Sequence, residues 1–448
     1  MDHRELEKKI CEDAAQHAKE PAPPIADLRP LVRKLAARGS EFLAFANSTP
    51  CYLLDVQELS SALDSYLTAF STHVLRHKGY YAVKVNHHPE LVRRIIAAGF
   101  GIDASSAREM EIGLAAGASD ILLTGPGKSD TDLRSALKHS GKVRINIDSF
   151  GELRRLGNAA REMGVAVRAG VRVTGESTKH WNKFGIPLSQ LKNFWELAKN
   201  YGGNKQAGVP GVELEGIQFH SSWNLDARPY QEMMAEIGAY LKGNFAPAEL
   251  EWIRFIDCGG GFRPFESEAT YAWKLPLGAA HKVLDPDFEL PGDFSPRVYK
   301  TEAATLEAYA RGIGEAASRE LKFLPDVQFY TEPGRVLCNN AMHILLKVID
   351  KKADDVVILD GGINLIGWER FEHDYFPVLN LSKPATEQEV PCRLYGPLCM
   401  PQDQWGYGFY GSGIEEGDVL IVPYQGALTY SLAQEFIKEI APVMVMER

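Results

Sequence analysis

The chain has 448 residues, of which 45% are hydrophobic and 24% are charged, and its formal net charge at pH 7 is −10. This length predicts two domains, or one large barrel with an addition. The negative charge argues against nucleic acid or an anionic membrane as the main partner, and no apolar run reaches the roughly 18 residues of a membrane span.

The amino-terminal segment and the cysteines both indicate a cytoplasmic protein. Residues 1–20, MDHRELEKKICEDAAQHAKE, are charged and lack the apolar core of a secretory signal peptide. The cysteines include no CxxC pair and no framework spacing, which predicts reduced thiols. They are Cys11, Cys51, Cys258, Cys338, Cys392 and Cys399. No metal site is expected, because HExxH is absent and the adjacent His87 and His88 would point to opposite faces of a strand end.

Short apolar segments rich in β-branched and aromatic residues recur along the first three quarters of the chain, each followed by a helical pattern. The eight segments are residues 80–86, 100–106, 121–127, 143–149, 165–173, 216–222, 255–261 and 327–334. The helix after the first segment, HPELVRRIIAAG, ends on a glycine stop, and the helix after the second begins with Ser106 as its expected N-cap. Such alternation implies parallel strands, and eight units predict a (β/α)8 barrel.

Beyond about residue 338 the strand patterns are separated by turns rather than by long helices. The strand patterns of this part of the chain predict a C-terminal β-domain. Residues 50–59, PCYLLDVQEL, are predicted to form a strand followed by a helix, and that strand could pair into the β-domain. Residues 265–300, rich in proline and aromatic residues, are expected to form an ordered excursion between barrel strands seven and eight. The predicted domains are an N-terminal helix and strand (1–68), the barrel (69–338) and the β-domain (339–448).

The carboxyl ends of the predicted barrel strands, where such barrels carry their active sites, contain residues that are unusual for an apolar core. They are Lys84, Asp103, Arg172, His220, Gly259, Gly260, Gly261, Glu332 and Arg335. Consecutive glycines let backbone N–H groups approach a phosphate closely, and a nearby arginine can complete the cradle. A lysine buried beside such a cradle, as predicted for Lys84 within YYAVKVN, suggests a Schiff base with an aldehyde cofactor, pyridoxal 5′-phosphate.

Each of these features also has a structural explanation when it is taken alone. Lys84 could reach along its strand to the solvent, the glycines could form a tight turn, and His220 could be a hydrogen-bonded core residue. Their occurrence at successive strand ends of one barrel favours a shared site.

A dozen motifs resemble, in order, those of the fold-type III pyridoxal-phosphate decarboxylases, the group that contains diaminopimelate and ornithine decarboxylases. The motifs are YAVKVN, GIDASSAREMEIGLAAG, LLTGPGKS, INIDSFGEL, VRV, KFGI, IQFHS, DCGGGF, TEPGR, LDGGIN, GPLCMPQD and GALTYS. The resemblance covers about residues 50 to 435. It implies an alanine-racemase-like barrel that binds pyridoxal phosphate, a β-domain completed by an N-terminal strand, and carboxy-lyase activity on an amino acid.

The resemblance assigns catalytic roles to four residues. Lys84 would anchor the cofactor covalently, and His220 would stack on its pyridine ring. Glu332 would face the ring nitrogen and keep it protonated, whereas alanine racemases of this fold place an arginine there, so the glutamate indicates decarboxylation. Cys399 of GPLC would return a proton to Cα, a role that suits a thiol because its pKa lies near working pH.

The remaining cofactor ligands and the oligomeric state are also implied by the resemblance. Asp103 and Arg172 would surround the ring and the lysine; the phosphate would be bound by Gly259, Gly260, Gly261, Arg335 and Tyr430. Cys399 would enter from a partner subunit, which implies a homodimer with two shared sites. Lys183 and Asp403 match a pair that forms a cross-subunit salt bridge in ornithine decarboxylase.

The chain departs from the family pattern at several positions that bear on the substrate. Trp368 and Glu372 stand where diaminopimelate decarboxylases carry an arginine and a tyrosine, and Met400 replaces an acidic substrate contact. Trp223 stands where a phosphate-binding serine is expected, although Ser221 or Ser222 could substitute, and Leu428 replaces a phosphate-binding tyrosine.

These departures argue against diaminopimelate and resemble the siderophore-pathway members, such as citryl-diaminopropionate decarboxylases, whose substrate is coupled to a polycarboxylate. Two alternatives stay open. One is decarboxylation of a free basic amino acid (ornithine, lysine or arginine) or of diaminopimelate, and Glu372 favours an amine-bearing substrate. The other is a non-catalytic homologue. Substrate contacts are expected from Trp368, Arg370, Glu372, Asp403 and the 265–300 excursion.

Overall fold

The computed structural model describes residues 2–17, 26–180, 182–265, 269–271, 298–300, 302–324, 326–367 and 374–447. Its strands are β1 (Cys51–Asp55), β2 (His77–Ala82), β3 (Gly101–Ala104), β4 (Ile121–Leu123), β5 (Val143–Ile147), β6 (Ala166–Thr174), β7 (Ile186–Pro187), β8 (Gly211–Gln218), β9 (Phe255–Asp257), β10 (Ala269–Tyr271), β11 (Val298–Lys300), β12 (Gln328–Thr331), β13 (Met342–Ala353), β14 (Val356–Leu359), β15 (Asp374–Tyr375), β16 (Leu379–Asn380), β17 (Glu389–Tyr395), β18 (Gln404–Tyr410), β19 (Val419–Val422) and β20 (Val443–Met446).

The α-helices of the same ranges are α1 (His3–His17), α2 (Arg29–Ala37), α3 (Gly39–Leu43), α4 (Val56–His73), α5 (Pro89–Ala97), α6 (Ala107–Ala115), α7 (Asp130–Lys138), α8 (Phe150–Glu162), α9 (Leu191–Lys199), α10 (Arg228–Asn244), α11 (Pro247–Leu250), α12 (Leu306–Glu320) and α13 (Arg335–Cys338). None of the helices in this described part of the chain combines the length and apolar character needed to span a bilayer.

The chain divides into two compact units. One contains residues 58–265 and 303–338, and the other contains 1–57, 266–302 and 339–448. Residues 58–68, assigned from the sequence to the N-terminal part, therefore pack with the first unit. The 266–302 segment belongs to the second unit, although it is inserted between strands of the first.

The first unit is a closed parallel barrel. Its strands follow the order β5–β4–β3–β2–β12–β9–β8–β6, and β5 pairs with β6 to close the ring. All eight predicted segments contribute a strand, so the (β/α)8 prediction is confirmed. The intervening helices start and stop where the sequence indicated: the Ser106 hydroxyl accepts from the Glu109 N–H at 3.2 Å, and Gly99 follows α5 with φ of +98°.

Aromatic and ionic side chains fill the barrel toward the amino ends of its strands. The rings of Phe255 and Tyr330 stack with centroids 4.8 Å apart, and Tyr80 is also fully buried. Beside them the guanidinium of Arg144 pairs with Asp120 at 2.7 Å and with Glu215 at 3.3 Å. Because the amino ends of the strands are closed by packed side chains, the candidate site is expected at their carboxyl ends.

The second unit is a β-domain whose chain segments also include helices α1, α2 and α3. Its eight-stranded sheet has the order β14–β17–β18–β16–β19–β13–β1–β20. The N-terminal β1 pairs antiparallel with β13 and parallel with β20, which confirms that an N-terminal strand completes this domain. Val32 of α2 and Phe42 of α3 are buried with Leu345 and Ile421 of the sheet, so apolar burial holds these helices on it.

A smaller antiparallel sheet in the same unit has the order β11–β10–β15. Its first two strands are the described parts of the 265–300 excursion, and β15 follows closely on residues 368–373. Tyr271 and Tyr375 bury their rings against each other with centroids 5.5 Å apart. The rest of the excursion lies outside the described residues.

Candidate active site

The barrel strands bring several polar side chains to neighbouring positions near their carboxyl ends. Arg172 of β6, Gln218 of β8 and Asp257 of β9 are partners in successive strand pairs. Asp103 of β3 pairs with Ala82, the last residue of β2. Because parallel strands in register present equivalent positions at one level of the barrel, these residues form one layer.

Lys84 lies just beyond this layer. Strand β2 ends at Ala82, and Lys84 occupies a 3₁₀ turn, Val83–Val85, in which both valines are buried and the lysine is exposed. The prediction that Lys84 lies within a buried strand is therefore wrong. Its ammonium avoids the cost of burial, and the flanking valines fix the backbone that carries it. The lysine charge still acts on the buried carboxyls. Burial raises the pKa of Asp103 and the Lys84 charge opposes that rise, and the same charge contributes to the lowered pKa of Glu332.

Three carboxyl groups are buried together in the barrel. Asp103, Asp257 and Glu332 are all at most 2% exposed. Burial and the proximity of Glu332 raise the pKa of Asp103 and of Asp257 well above the ordinary value. Burial also opposes ionisation of Glu332, but the hydrogen bond from His220 and the charges of His220, Lys84 and Arg172 lower its pKa to about 2. Glu332 thus carries the negative charge, and the two aspartates are kept protonated.

His220 connects this carboxylate to the loop that follows β8. Its Nδ1 lies 3.0 Å from Glu332 Oε2, and its Nε2 lies 3.2 Å from the Ser222 hydroxyl. Gln218 Nε2 donates to the other oxygen, Glu332 Oε1, at 3.3 Å. Burial lowers the pKa of His220, and the contact with Glu332 opposes that shift. Both partners hold the Glu332 carboxylate in one orientation.

Some buried polar atoms of the layer have no hydrogen-bond partner among the described residues. They include Asp103 Oδ1, Arg172 Nε and Gln218 Oε1. Such atoms are costly in a protein interior unless a ligand or water satisfies them. Their donor and acceptor chemistry suits the substituted pyridine ring of pyridoxal phosphate, so these residues fit that cofactor.

The three consecutive glycines, Gly259–Gly261, form a loop whose backbone packs directly against the backbone of neighbouring segments. Gly259 and Gly261 have φ of +69° and +90°, in the left-handed region that favours glycine. A Cβ at Gly259 would lie 2.6 Å from the Phe219 carbonyl oxygen, and one at Gly260 would collide with the carbonyl of Glu332. The Gly259 N–H donates to Asp257 Oδ1 at 3.0 Å, and the Gly260 N–H donates to His220 Nδ1 at 3.1 Å. Half-buried Arg335, which follows Glu332 by three residues, has the guanidinium chemistry that binds a phosphate.

The serines offered as substitutes for the missing phosphate ligand have protein partners. Ser221 Oγ donates to Asn224 Oδ1 at 2.9 Å, and Ser222 Oγ contacts His220. These bonds shape the loop around the glycine run.

In the β-domain, Cys399 is exposed on the turn between β17 and β18. Asp403 fastens the base of that turn: its carboxylate accepts from the backbone N–H of Ile363 at 2.8 Å and of Leu398 at 2.6 Å. Burial raises the pKa of Asp403. Asp403 is thus buried, and backbone donors engage both its oxygens. Its contact with substrate and its cross-subunit pair with Lys183 stay predictions.

The other predicted residues of this domain are described only in part. Tyr430 is half-buried, and its ring meets Tyr52 edge-on with centroids 5.4 Å apart. Leu428 adopts φ of +56°. The predicted substrate contacts Trp368, Arg370 and Glu372 lie outside the described residues.

Sequence reasoning missed three residues of the buried layer. Asn146 Nδ2 donates to Asp257 Oδ2 and to the Thr124 hydroxyl, at 3.1 Å each, and Gln218 and Asp257 both lie beside Glu332. Each is a polar residue within an apolar strand segment: Asn146 in VRINID, Gln218 in GIQF and Asp257 in FID. These polar residues could have been recognised from the sequence, because a polar side chain inside a barrel requires a hydrogen-bond partner.

Comparisons with known proteins agree with this geometry. A family profile described as "Pyridoxal-dependent decarboxylase, pyridoxal binding domain" matches residues 57–339. The chain is 27% identical over 418 residues to the diaminopimelate decarboxylase of Methanothermobacter thermautotrophicus, covering 91% of this chain and 88% of that protein. It is 26% identical over 385 residues to the lysine/ornithine decarboxylase of Selenomonas ruminantium, covering 84% and 85%.

Among solved structures, the fold is similar to that of diaminopimelate decarboxylase from M. jannaschii in co-complex with L-lysine. The TM-score is 0.70 at 21% identity, with 91% of this chain and 89% of that chain covered. The likeness extends over nearly the whole of each protein.

Proposed function

The chain belongs to the family of pyridoxal-dependent decarboxylases, and on that premise we propose that it decarboxylates a free amino acid that carries a second charged group at its far end. It is a pyridoxal 5′-phosphate-dependent carboxy-lyase. The observation that carries the proposal is the ionised Glu332, held by His220 and Gln218 in the same barrel layer as Asp103 and beside Lys84.

When bound, pyridoxal phosphate supplies an acceptor for the electron pair that remains on Cα when the α-carboxylate leaves as CO2. Lys84 would hold the cofactor aldehyde, and its exposed position at the end of β2 leaves room for a substrate amine to replace it. Glu332 would keep a proton on the ring nitrogen, because a buried carboxylate with a pKa of about 2 stabilises a neighbouring cation. Gly259–Gly261 and Arg335 would bind the phosphate.

The last step requires a proton at Cα. We assign it to Cys399, an exposed thiol on a turn whose base is fixed by Asp403. A thiol can both hold and release a proton near neutral pH.

The names of the relatives support a diamino acid as the substrate. The relatives are diaminopimelate and lysine/ornithine decarboxylases. A siderophore-type conjugate, in which the amino acid is coupled to a polycarboxylate, is a second candidate. It is favoured by Met400, which replaces an acidic substrate contact, and by Trp223 beside the glycine loop.

The substrate proposal is tested with the purified holoenzyme and a panel of meso-diaminopimelate, L-lysine, L-ornithine, L-arginine and citryl-diaminopropionate. CO2 release and mass spectrometry of the product identify which compound loses its α-carboxylate. Lys84→Ala protein serves as the inactive control. Release of CO2 from none of the five would reject the proposal.

We also propose a homodimer in which each site takes Lys84 from one chain and Cys399 from the other. The support is the family resemblance of the GPLC turn and the exposure of that turn. Mixing inactive Lys84→Ala with inactive Cys399→Ala protein should restore up to roughly a quarter of parental activity, because half of the dimers are mixed and each has one intact site. No recovery after demonstrated subunit exchange would mean that each chain builds its own site.

A further inference from the structure

The turn that carries Lys84 is closed by a side chain of the strand before it. The hydroxyl of Tyr81, one residue before the end of β2, donates to the backbone carbonyl of Asn86 at 2.9 Å, on the far side of the turn. Tyr81 and Asn86 are both fully buried. The bond therefore spans residues 82–85 and fixes the backbone on either side of Lys84, whose own side chain is exposed.

The same hydroxyl connects the turn to α13. It interacts with the thiol of Cys338, the last residue of that helix, which is also fully buried. Burial raises the pKa of Tyr81 well above its ordinary value, so the hydroxyl keeps its proton and remains a donor to Asn86. The first residue of α13 is Arg335. The phenol thus links the turn of Lys84 to the helix of Arg335.

Backbone contacts hold the two segments together at closer range. The Ala82 N–H donates to the carbonyl of Pro333 at 3.1 Å. A Cβ at Gly334 would lie 2.5 Å from Val85 Cγ2, so the absence of a side chain lets the turn approach the segment before α13 closely. These contacts fix where the turn lies, and the Tyr81 hydrogen bond fixes its shape.

We propose that Tyr81 is a positioning residue, whose hydroxyl sets the distance between Lys84 and Arg335. The inference rests on the proposed function, in which Lys84 binds the cofactor aldehyde and Arg335 binds the phosphate. In the covalent step, the unprotonated amine of Lys84 forms a C=N bond with the aldehyde carbon, and the aldehyde oxygen leaves as water with the two amine protons. A bound phosphate presents the aldehyde to Lys84 at a high effective concentration only where the turn holds the lysine within reach.

The test compares two forms of the cofactor by calorimetric titration of the cofactor-free, full-length protein. Pyridoxal 5′-phosphate bonds to Lys84, whereas pyridoxamine 5′-phosphate carries an amine in place of the aldehyde and binds only through its ring and phosphate. Tyr81→Phe keeps the ring and removes the hydroxyl. We expect it to weaken pyridoxal phosphate binding at least about tenfold and to leave pyridoxamine phosphate binding within about twofold of the parent.

Tyr80→Phe is the matched control. It also removes a buried hydroxyl from β2, but this hydroxyl donates to Asp120 at 3.0 Å, at the amino end of the barrel, and its loss should change neither affinity. Cys338→Ala, which removes the contact with α13, is a second variant and should also weaken pyridoxal phosphate binding more than pyridoxamine phosphate binding.

A double-mutant cycle separates positioning from a general loosening of the fold. In the Lys84→Ala background, Tyr81→Phe should no longer change the affinity for pyridoxal phosphate, because no covalent bond remains for it to assist. Equal losses for the two cofactor forms, the same loss in the Lys84→Ala background, or no loss at all would overturn the inference.

Binding is measured here without turnover, so the two proposals fail separately. A protein that shows the expected pattern of affinities and releases no CO2 from any compound of the substrate panel would reject the proposed function and keep the positioning role of Tyr81. An affinity for pyridoxal phosphate that Lys84→Ala leaves unchanged would overturn the inference together with the anchoring role of Lys84.

Discussion

Replacing Glu332 with glutamine tests the electrostatic core of the site. In the native barrel the pKa of this carboxyl is lowered from its ordinary 4.5 to about 2, because His220, Lys84 and Arg172 together outweigh the opposing effect of burial. For a carboxyl that is only 2% exposed, this difference corresponds to about 3 kcal/mol of stability at pH 7. Glutamine resembles the protonated acid and cannot supply that energy, so Glu332→Gln should unfold about 3 kcal/mol more easily at pH 7.

The pH dependence has a defined direction. Because the pKa of Glu332 is depressed in the folded protein, its contribution is complete above the ordinary pKa and is lost as the pH falls toward 2. The difference between parent and variant should therefore shrink from about 3 kcal/mol at pH 7 to about 2 kcal/mol at pH 3.5. Urea unfolding of the cofactor-free proteins at both pH values measures it.

Glu162→Gln is the matched control for this experiment. Glu162 is 60% exposed in its ion pair with Arg134, so its replacement should cost less than about 1 kcal/mol at either pH. In the holoenzyme, Glu332→Gln should lower kcat by at least about 10²-fold, because an amide does not stabilise a protonated pyridine. Parental stability at pH 7, or a kcat within a few-fold of the parent, would refute the reasoning.

Three further changes have defined outcomes. Lys84→Ala should abolish both the visible absorption of bound cofactor and CO2 release; an unchanged spectrum would remove Lys84 from the anchoring role. Asp403→Asn should destabilise the β-domain by about 1–3 kcal/mol and lower kcat, because an amide cannot accept both backbone N–H groups at the Cys399 turn; parental urea unfolding would contradict this. Glu389 is hydrogen-bonded to the Tyr375 hydroxyl at 2.8 Å, and burial raises its pKa from 4.5 to about 7. Because the folded protein disfavours the ionised form of this carboxyl, the free energy of unfolding should fall as the pH rises from 4.5 toward 8. Glu389→Gln should stabilise the protein by about 2–3 kcal/mol at pH 8 and hardly at pH 4.5, and a pH-independent effect would show that this carboxyl does not titrate between those values.

The barrel could be predicted from the sequence because its strands are apolar and its helices carry local signals, such as the Ser106 cap. The ends of the strands could not. Strand β8 begins at Gly211, five residues before the predicted segment, because Glu213 and Glu215 gave that stretch a polar appearance. Glu215 pairs with Arg144 from β5, a contact between residues distant in the sequence, and such contacts override local preference.

The sequence analysis predicted most of the titratable residues of the site but missed Asp257 and the two amide side chains. Lysine, histidine and glutamate attract attention by their chemistry, whereas Asn146 and Gln218 take part only because the barrel places them beside Asp257 and Glu332. The position of Lys84 depended on where strand β2 ends. The strand ends at Ala82, four residues before the end of the predicted segment at residue 86, and this places Lys84 on an exposed turn rather than in a buried strand.

The β11–β10–β15 sheet has a consequence for protein engineering. Two strands far apart in the chain, β10 and β15, are joined by pairs such as Ala269 with Tyr375. A chimera that exchanges only one of these segments with a relative would have to match a foreign strand partner and a foreign ring contact for Tyr271. A chimera should therefore exchange β10 and β15 together, as one module.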